Sequence, residues 1–283
     1  MRARLCRRQG HGTPPVKKKD YALRACVKRF TGPPHPERDR QFAYIAKQRA
    51  AFRQTGAPII SADTKKKELI GNFANAGRTW GRQPHEVNAH DFPQDARARA
   101  VPYGLYDVQR RQGHVCLGVS GDTPRFSVSA IRDWWRTKGR QAYRGRTALL
   151  LLCDAGGSNS CRSRAWKYEV QRQLADECGL TVTVCHYPTG ASKWNPVEHR
   201  LFGPISVNWA GEPLCSLGKM LNLIRGTKTT PTTATLDRHS YKPGQKITAA
   251  EWANLKLKRH TVCPQWNYTI APQTAGAALR AGP

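Results

Sequence analysis

The sequence predicts an α/β fold, a mixed five-stranded sheet flanked by helices, from two observations. The first is the run Ala148–Cys153, six mostly aliphatic residues followed directly by Asp154 and then by two glycines. A strand without polar alternation is typical of a parallel strand that is covered on both faces. The second observation is a hairpin pattern followed by alternating helical and strand patterns. Antiparallel strands that lead into helix-linked parallel strands form a mixed sheet.

Five segments have the composition of strands, and several others have the periodicity of helices. The predicted strands are residues 58–70, 103–108, 114–119, 148–153 and 181–186. The predicted helices are residues 36–56, 127–138, 162–178, a helix from Pro196, and another around 217–224. This order of elements is the one found in RNase-H-like (retroviral-integrase-like) domains.

Composition divides the chain into five regions. Residues 1–35 form a basic arm, and residues 36–57 a connecting helix, which we expect to pack on the next region rather than lie along DNA. Residues 58–225 form the RNase-H-like domain. Residues 226–270 form a closing segment, whose Thr-rich start at 226–235 is predicted to be a loop. The Ala/Gly/Pro-rich tail, residues 271–283, is predicted to be disordered.

The charge balance indicates a polyanionic partner. The chain has 47 Lys and Arg against 19 Asp and Glu, a net charge of +28. A field of this sign concentrates polyanions, and nucleic acid releases counterions when its phosphates are neutralised. Two less favoured alternatives remain from composition alone: a ribosomal-type RNA binder, and a host whose proteins are generally basic.

Cysteine usage and hydropathy indicate the compartment. Nine cysteines are scattered without a CxxC pair, as in a reduced cytosolic protein. The basic start has no apolar signal core behind it, and no apolar run approaches the length that spans a membrane. We therefore predict a cytoplasmic protein without a membrane partner.

Two aspartates are predicted to meet at the centre of the sheet. Asp63 lies in the first strand and Asp154 ends the fourth, and these strands are neighbours in an RNase-H-like sheet. Asp154, with glycines two and three residues later, also fits a simple turn, and these glycines would allow a backbone or ligand to approach closely. Two adjacent carboxylates repel each other, which a divalent cation such as Mg²⁺ or Mn²⁺ relieves.

Glu198 is the third acidic candidate. Asn195 suits the N-cap of the following helix and Pro196 its first position, so Glu198 could complete a capping box. Glu198 also shares a helical face with Phe202, Ile205 and Trp209. A carboxylate at the head of an apolar stripe needs a partner, which a metal ion supplies. Capping and metal binding are compatible, because a carboxylate has two oxygens.

Three segments around these acids closely resemble the DDE transposases of bacterial insertion sequences. They are residues 63–73 (DTKKKELIGNF), 154–159 (DAGGSN) and 192–202 (SKWNPVEHRLF). Further matches are Asn75–Arg78, His90–Pro93, Trp134–Trp135, Tyr187–Pro188 and Trp266–Ile270. The nearest branch is the Rhodopirellula-type transposase DDE domain, and the resemblance runs from about Pro36 to Pro272.

The resemblance implies a catalytic triad of Asp63, Asp154 and Glu198 with two Mg²⁺ or Mn²⁺ ions. Asp63 is expected to bridge both ions, and the other two carboxylates to complete one shell each. The implied reaction is phosphodiester hydrolysis at the element's ends, followed by attack of the freed 3′-hydroxyl on target DNA. The implied partners are the DNA of the element's ends and the target DNA, and a homodimer on DNA is left open. The implied location is the nucleoid in a bacterial cytoplasm.

The front of the chain departs from the family pattern. Such transposases carry an N-terminal helix-turn-helix module, whereas only a basic arm precedes Pro36. We expect either a truncated copy, with the arm as a remnant of the lost recognition region, or recognition by another polypeptide. Two alternatives to a transposase remain: an RNase-H-like nuclease without strand transfer, and an inactive DNA-binding remnant.

Basic residues near the triad are the predicted DNA contacts, with a merely solvated cationic edge as the alternative. They are Lys65, Lys66, Lys67, Arg162, Arg164, Lys193 and Arg200. His199 is a candidate for proton transfer, although packing or contact with DNA is the preferred interpretation. Trp194 is a candidate for stacking on an unpaired base, with a core position preferred.

Overall fold

The structure, a computed structural model, describes residues 35–273. Within this range the chain forms one mixed sheet of nine strands in the order β7-β4-β3-β1-β5-β6-β9-β8, with β2 paired to β3. The strands are β1 Ile59–Thr64, β2 Glu68–Ile70, β3 Ala98–Asp107, β4 Gln112–Gly118, β5 Ala148–Cys153, β6 Thr181–His186, β7 Thr232–Asp237, β8 Leu257–Arg259 and β9 Asn267–Ile270.

The predicted fold class is confirmed by the five central strands. β1, β5 and β6 are parallel to one another, and β3 and β4 form an antiparallel meander on the other side of β1. β4, β3, β1, β5 and β6 thus lie in the order of an RNase-H-like sheet. Parallel strands need helical crossovers, which the α/β alternation supplies.

Seven α-helices surround the sheet in the described part of the chain, and three of the helical segments contain π-helical turns. The helices are α1 Arg38–Gln54, α2 Pro124–Trp134, α3 Arg140–Ala142, α4 Arg164–Glu169, α5 Gly203–Asn208, α6 Leu217–Arg225 and α7 Ala249–Ala253. The π-helical turns are Trp135–Gly139, Val170–Asp176 and Glu198–Phe202. A 3.6-residue periodicity cannot anticipate such turns, because each changes the helical register.

Both faces of the sheet are covered, as the apolar run in β5 requires. Leu149 and Leu151 belong to a core cluster with α2 and α4 on one face. Leu150 and Leu152 face the opposite way, into a cluster that includes Ile45 of α1. On that second face, helices α5 and α6 and the turn before them cover β3, β4 and β7. α1 therefore packs on the sheet.

Three predicted segments differ from the structure. Residues 58–70 form two strands instead of one: β1 and β2 both pair antiparallel with β3, and Lys65–Lys67 interrupt the strand between them. The prediction of a loop at residues 226–235 is wrong, because Thr232–Asp237 pairs in parallel with β4. Thr is β-branched and suits a strand. Whether this segment forms one depends on β4, a strand more than 100 residues earlier in the chain, with which it pairs at the end of the sheet. The closing segment contributes β8 and β9 to the sheet beyond β6.

The remaining bulk expectations concern membranes, cysteines and termini. Within residues 35–273 no helix combines the length and apolarity needed to cross a bilayer. The seven cysteines in this range are free thiols. Residues 1–34 of the basic arm and residues 274–283 of the tail lie outside the described range.

Gln41 of α1 joins the N-terminal helix to the last strand, and we predict that its loss destabilises the fold. Its amide donates to Asn267 Oδ1 and to the His186 carbonyl, both at 2.8 Å, and Asn267 donates back at 2.6 Å. Gln41→Ala leaves buried hydrogen-bonding groups without a partner. The free energy of unfolding, measured in urea, should therefore fall by about 2 kcal/mol. The exposed Gln54 of the same helix provides the control Gln54→Ala, which should change stability little. Equal effects of the two substitutions would contradict this prediction.

Candidate active site

The two predicted aspartates emerge side by side on one face of the sheet. Ala62 is paired with Cys153 in the parallel β1–β5 ladder, so Asp63 and Asp154 follow at the same edge. Successive strand residues point to opposite faces. Asp63 thus shares a face with Ile59, which packs in the cluster on the α1 side. The carboxyl end of a strand is where ligands bind in α/β sheets.

Glu198 lies on the same face because its helix rests directly on glycines of the sheet. Gly104 is the strand partner of Asp63. A Cβ at Gly104 would lie 2.4 Å from the Phe202 ring, and one at Gly113 would lie 2.4 Å from Leu201 Cδ1. Two missing side chains therefore let the Glu198 helix sit close to the sheet beside Asp63. The predicted apolar stripe of this helix, including Phe202, is buried.

A buried hydrogen-bond chain ties the three acidic segments together. The Ser61 hydroxyl of β1 is hydrogen-bonded to Asn195 Oδ1, and it accepts the Val197 backbone N–H at 3.0 Å. The Asn195 amide donates to Asp154 Oδ1 at 3.2 Å. The Asn195 side chain is thus committed to β1 and Asp154, and the capping-box interpretation of residues 195–198 is not observed. An Asn in a cap-like sequence gives no signal for this buried role.

His186, at the end of β6, holds the backbone of Asp154. Its Nδ1 lies 2.9 Å from the Asp154 carbonyl and its Nε2 lies 3.0 Å from the Tyr268 hydroxyl, to which Trp166 Nε1 donates at 2.8 Å. Burial lowers the pKa of His186 to about 4. The ring is therefore neutral at physiological pH, with Nδ1–H donating to the carbonyl and Nε2 accepting from Tyr268.

The loop after Asp154 is tied down by side chains of the DAGGSN segment. Asn159 accepts a hydrogen bond from the Tyr103 hydroxyl at 2.9 Å, and Ser158 accepts one from Ser127 at 2.7 Å. Gly157 has φ +65°, a conformation that favours glycine. Among residues 35–273, and apart from the adjacent residues of the chain, no atom lies within 4 Å of a Cβ built at Gly156 or Gly157, so close approach of another described backbone segment is not the reason for these glycines.

The acidic cluster is under electrostatic strain. Burial, then repulsion by Asp154 and by Glu198, raises the pKa of Asp63 to about 8, against a hydrogen bond from Thr64 N–H that lowers it. Burial raises the pKa of Asp154, and burial followed by repulsion from Asp154 raises that of Glu198. The three carboxylates therefore interact electrostatically, and binding of a compensating cation is favoured.

Asp122 is an acidic neighbour that sequence analysis missed. It contributes to the raised pKa of Asp63 and accepts a hydrogen bond from the Thr64 hydroxyl at 3.1 Å. It lies just before Thr123, the N-cap of α2. The sequence signal that could have identified Asp122 is its position four residues after β4, because β4 ends at the same edge of the sheet as Asp63.

Three of the predicted cationic residues border the acidic cleft. Lys65, Lys66 and Lys67 line a cavity of about 390 Å³ together with Asp63 and Asp154. Lys65 is partly committed, because its ammonium group lies 2.8 Å from Glu68 Oε1 and 4.7 Å from the Trp209 ring centre. Lys66 and Lys67 form no salt bridge within residues 35–273.

The other predicted contacts do not line this cavity. Arg164 stacks on Trp252, with 5.2 Å to the ring centre, and so faces α7; Arg162 is exposed nearby. Lys193 lies over Trp194, and Arg200 is exposed on the Glu198 helix. His199 is hydrogen-bonded to the Lys193 carbonyl. Trp194 is 40% exposed and packs edge-on against Phe42, so it is not a core residue.

The donor set suits a divalent cation by charge and chemistry. It consists of carboxylate oxygens, the hard ligands that Mg²⁺ and Mn²⁺ prefer. Burial first, and then repulsion between the carboxylates, raises the pKa of Asp63 and of Glu198, although Lys65 and His199 lower that of Glu198. Within residues 35–273 no group of three acidic, His or Cys side chains surrounds one point as a metal shell. The fit thus rests on donor type and charge, and not on a preformed coordination shell.

The strand order, with acidic side chains at the ends of the two central parallel strands, defines an RNase-H-like protein whose candidate site is a carboxylate cluster. The chain belongs to the family described as the Rhodopirellula transposase DDE domain, whose model matches residues 14–272. The match begins at residue 14, whereas the resemblance described from the sequence motifs begins at about Pro36. No curated protein matches the chain.

Several solved structures of Mos1 transposase are similar to this chain. The paired-end complex with the left transposon end has 12% identity over 72% of this chain, with a TM-score of 0.44. The mariner paired-end complex with Mn has 12% identity over 72%, with a TM-score of 0.45. The strand transfer complex has 14% identity over 76%, with a TM-score of 0.46. The chain spans 58%, 58% and 61% of those chains, respectively.

Proposed function

We propose that this chain is the catalytic domain of a DNA transposase that performs metal-dependent phosphodiester hydrolysis and strand transfer. The observation that carries the proposal is the convergence of Asp63, Asp154 and Glu198 on one sheet face in a member of a transposase family. The +28 charge supports DNA, as element ends and as target, as the partner.

Asp63, Asp154 and Glu198 would hold two Mg²⁺ or Mn²⁺ ions. When bound, such ions lower the pKa of the attacking oxygen nucleophile and stabilise the leaving oxygen of an in-line displacement. The carboxylates supply the negative charge that recruits the ions. Ser61 and Asn195 hold the Asp154 carboxylate and the start of the Glu198 helix in fixed relation. No protein nucleophile is required, so no covalent protein–DNA intermediate is expected.

The lysines after β1 are suited to hold the scissile DNA strand. Lys66 and Lys67 border the acidic cavity, and Lys65 lies close enough to Glu198 to lower its pKa. Phosphate groups bound there would lie beside the carboxylates, where they neutralise the lysines and position a phosphodiester. Arg162, Arg164, Lys193 and Arg200 would extend DNA contact outside the cavity.

The test is Asp154→Asn, assayed for Mg²⁺-dependent cleavage and joining of an end duplex. Asn retains an oxygen that accepts the Asn195 hydrogen bond, so the fold should persist while a metal-binding charge is lost. We expect cleavage to fall on the order of 10³-fold or more. Asp39→Asn on exposed α1 is the control and should be fully active.

Product analysis separates the alternatives. Joined products identify a transposase, whereas nicks alone identify an RNase-H-like nuclease. DNA binding that is sensitive to salt, without any metal-dependent turnover by the wild-type chain, would identify an inactive DNA-binding remnant. Unchanged cleavage by folded Asp154→Asn would remove Asp154 from the catalytic role.

A further inference from the structure

A second cleft, away from the carboxylates, is larger than the acidic cavity. It has a volume of about 1130 Å³ and opens between the end of α2, the start of β4 and β7, and the loop after α6. Four cations line it, and we call it the basic cleft, defined by Arg110, Lys138, Arg225 and Lys228. All four are exposed to solvent.

The positive charge of the basic cleft is uncompensated. None of its four cations forms an ion pair in the part of the chain that the structure describes. The one acidic residue in the lining, Asp107, is 4% exposed. Its carboxylate accepts from the Tyr143 hydroxyl at 2.7 Å and from the backbone N–H of Arg110 at 3.0 Å. The Asp107 carboxylate is thus hydrogen-bonded within the protein. Arg225 donates to the Ala234 carbonyl at 2.8 Å, a neutral partner that leaves its positive charge in place, and the other three cations make no side-chain hydrogen bond within residues 35–273.

The position of the basic cleft makes it a separate site. Asp63 pairs with Gly104, and Gly104 pairs with Val115, three residues from Gln112 in the cleft wall. Strand geometry therefore puts about 14 Å between Asp63 and Gln112. A single phosphodiester cannot contact both places, but a longer nucleic acid can. The remaining lining mixes polar side chains, including Gln112, Gln141 and Thr137, with apolar ones such as Trp134.

We propose that the basic cleft binds the phosphate backbone of a DNA segment distant from the reacting phosphodiester. Exposed Lys and Arg side chains without carboxylate partners, set in a concave surface, are the groups that contact phosphate oxygens without reading sequence. The choice of DNA over other polyanions rests on the proposed function. The binding itself does not depend on the carboxylates or on a metal.

The experiment measures DNA affinity of the full chain in EDTA over a range of salt concentrations, with a duplex of about 30 base pairs as the probe. Lys138→Glu/Lys228→Glu is compared with Lys242→Glu/Lys246→Glu, which changes net charge equally at exposed lysines outside the cleft. We expect the cleft variant to lose about tenfold or more in affinity, and its salt slope to fall by about 2. The control should lose less than about threefold.

Every other outcome contradicts the proposal. Equal losses in both double variants would mean that only net charge matters. A cleft variant that keeps its DNA affinity but no longer binds a mononucleotide, measured by calorimetry, would identify a small-anion site. Thermal unfolding checks that each variant is folded. If the charge-reversal variant Lys138→Glu/Lys228→Glu is unfolded, Lys138→Ala/Lys228→Ala is measured in its place. Binding without metal separates this result from any failure of the catalytic proposal.

Discussion

Asp63→Asn should make the metal-free protein more stable while abolishing metal-dependent cleavage. A residue needed only for the fold would lose stability on substitution. Asp63 instead carries a carboxyl that is largely buried and lies near three further acids, and burial and their repulsion together raise its pKa from 3.8 to about 8. Asn keeps the oxygen that accepts the Thr64 N–H at 2.8 Å but removes the charge. We expect a gain of about 2 kcal/mol at a pH of about 8 and a cleavage loss of about 10³-fold or more.

The pH dependence of this gain has a defined sign. A raised carboxyl pKa means that the folded state binds a proton more tightly than the unfolded state does. Between the unfolded-state pKa and the folded-state value of about 8, the folded protein therefore holds more protons, and the Asp63 contribution to stability falls as pH rises. Urea unfolding in EDTA at about pH 5 and about pH 8 measures this fall. The wild-type chain should lose more stability over this interval than Asp63→Asn.

Metal addition provides the complementary readout. Mn²⁺ or Mg²⁺ should raise the unfolding temperature of the wild-type chain, because ligand binding to the folded state stabilises it. Asp63→Asn should show little such response, and the surface control Asp39→Asn should respond like wild type. Loss of stability in metal-free Asp63→Asn would contradict the assignment of Asp63 to a strained carboxylate cluster.

Gly104→Val should be among the most disruptive single substitutions in the domain. Its Cβ would lie 2.4 Å from Cε1 and 2.5 Å from Cζ of Phe202, and 3.1 Å from Leu201. Phe202 is buried among other apolar side chains, so it cannot shift without displacing its neighbours. The Glu198 helix must therefore lift from the sheet. We expect about 3 kcal/mol of destabilisation and, in the folded fraction, about 10²-fold slower cleavage.

Two matched variants make the Gly104 prediction specific. Gly156→Ala lies by the same site but in open space, with an ordinary φ of −117°, so its stability should hardly change. Gly104→Ala/Phe202→Leu should recover part of the stability that Gly104→Ala loses, because the contact is shared by the pair. Urea unfolding checks both variants. A Gly104→Val protein as stable and active as wild type would disprove the close-packing role.

The acidic residues of the candidate site could be predicted from the sequence because local patterns carry them. β5 is a run of buried residues that ends at Asp154, and β1 carries Asp63 near its end. Neighbouring parallel strands bring such ends together whatever the loops do. The third acid, Glu198, heads an apolar helical stripe that proved to be buried. These features depend on periodicity and on strand ends, both of which are visible in a linear chain.

Sequence by itself determined the α/β class, the five central strands and the proximity of the two aspartates, because burial patterns and the order of elements are local properties. Only the tertiary structure decided that Asn195 serves Ser61 and Asp154 instead of its own helix, that Asp122 joins the acidic edge, and that Thr232–Asp237 forms a strand. The same holds for the basic cleft, whose cations come from β4's hairpin, α2's end and the loop after α6. Each of these depends on partners that lie far apart in sequence and meet only when the sheet assembles.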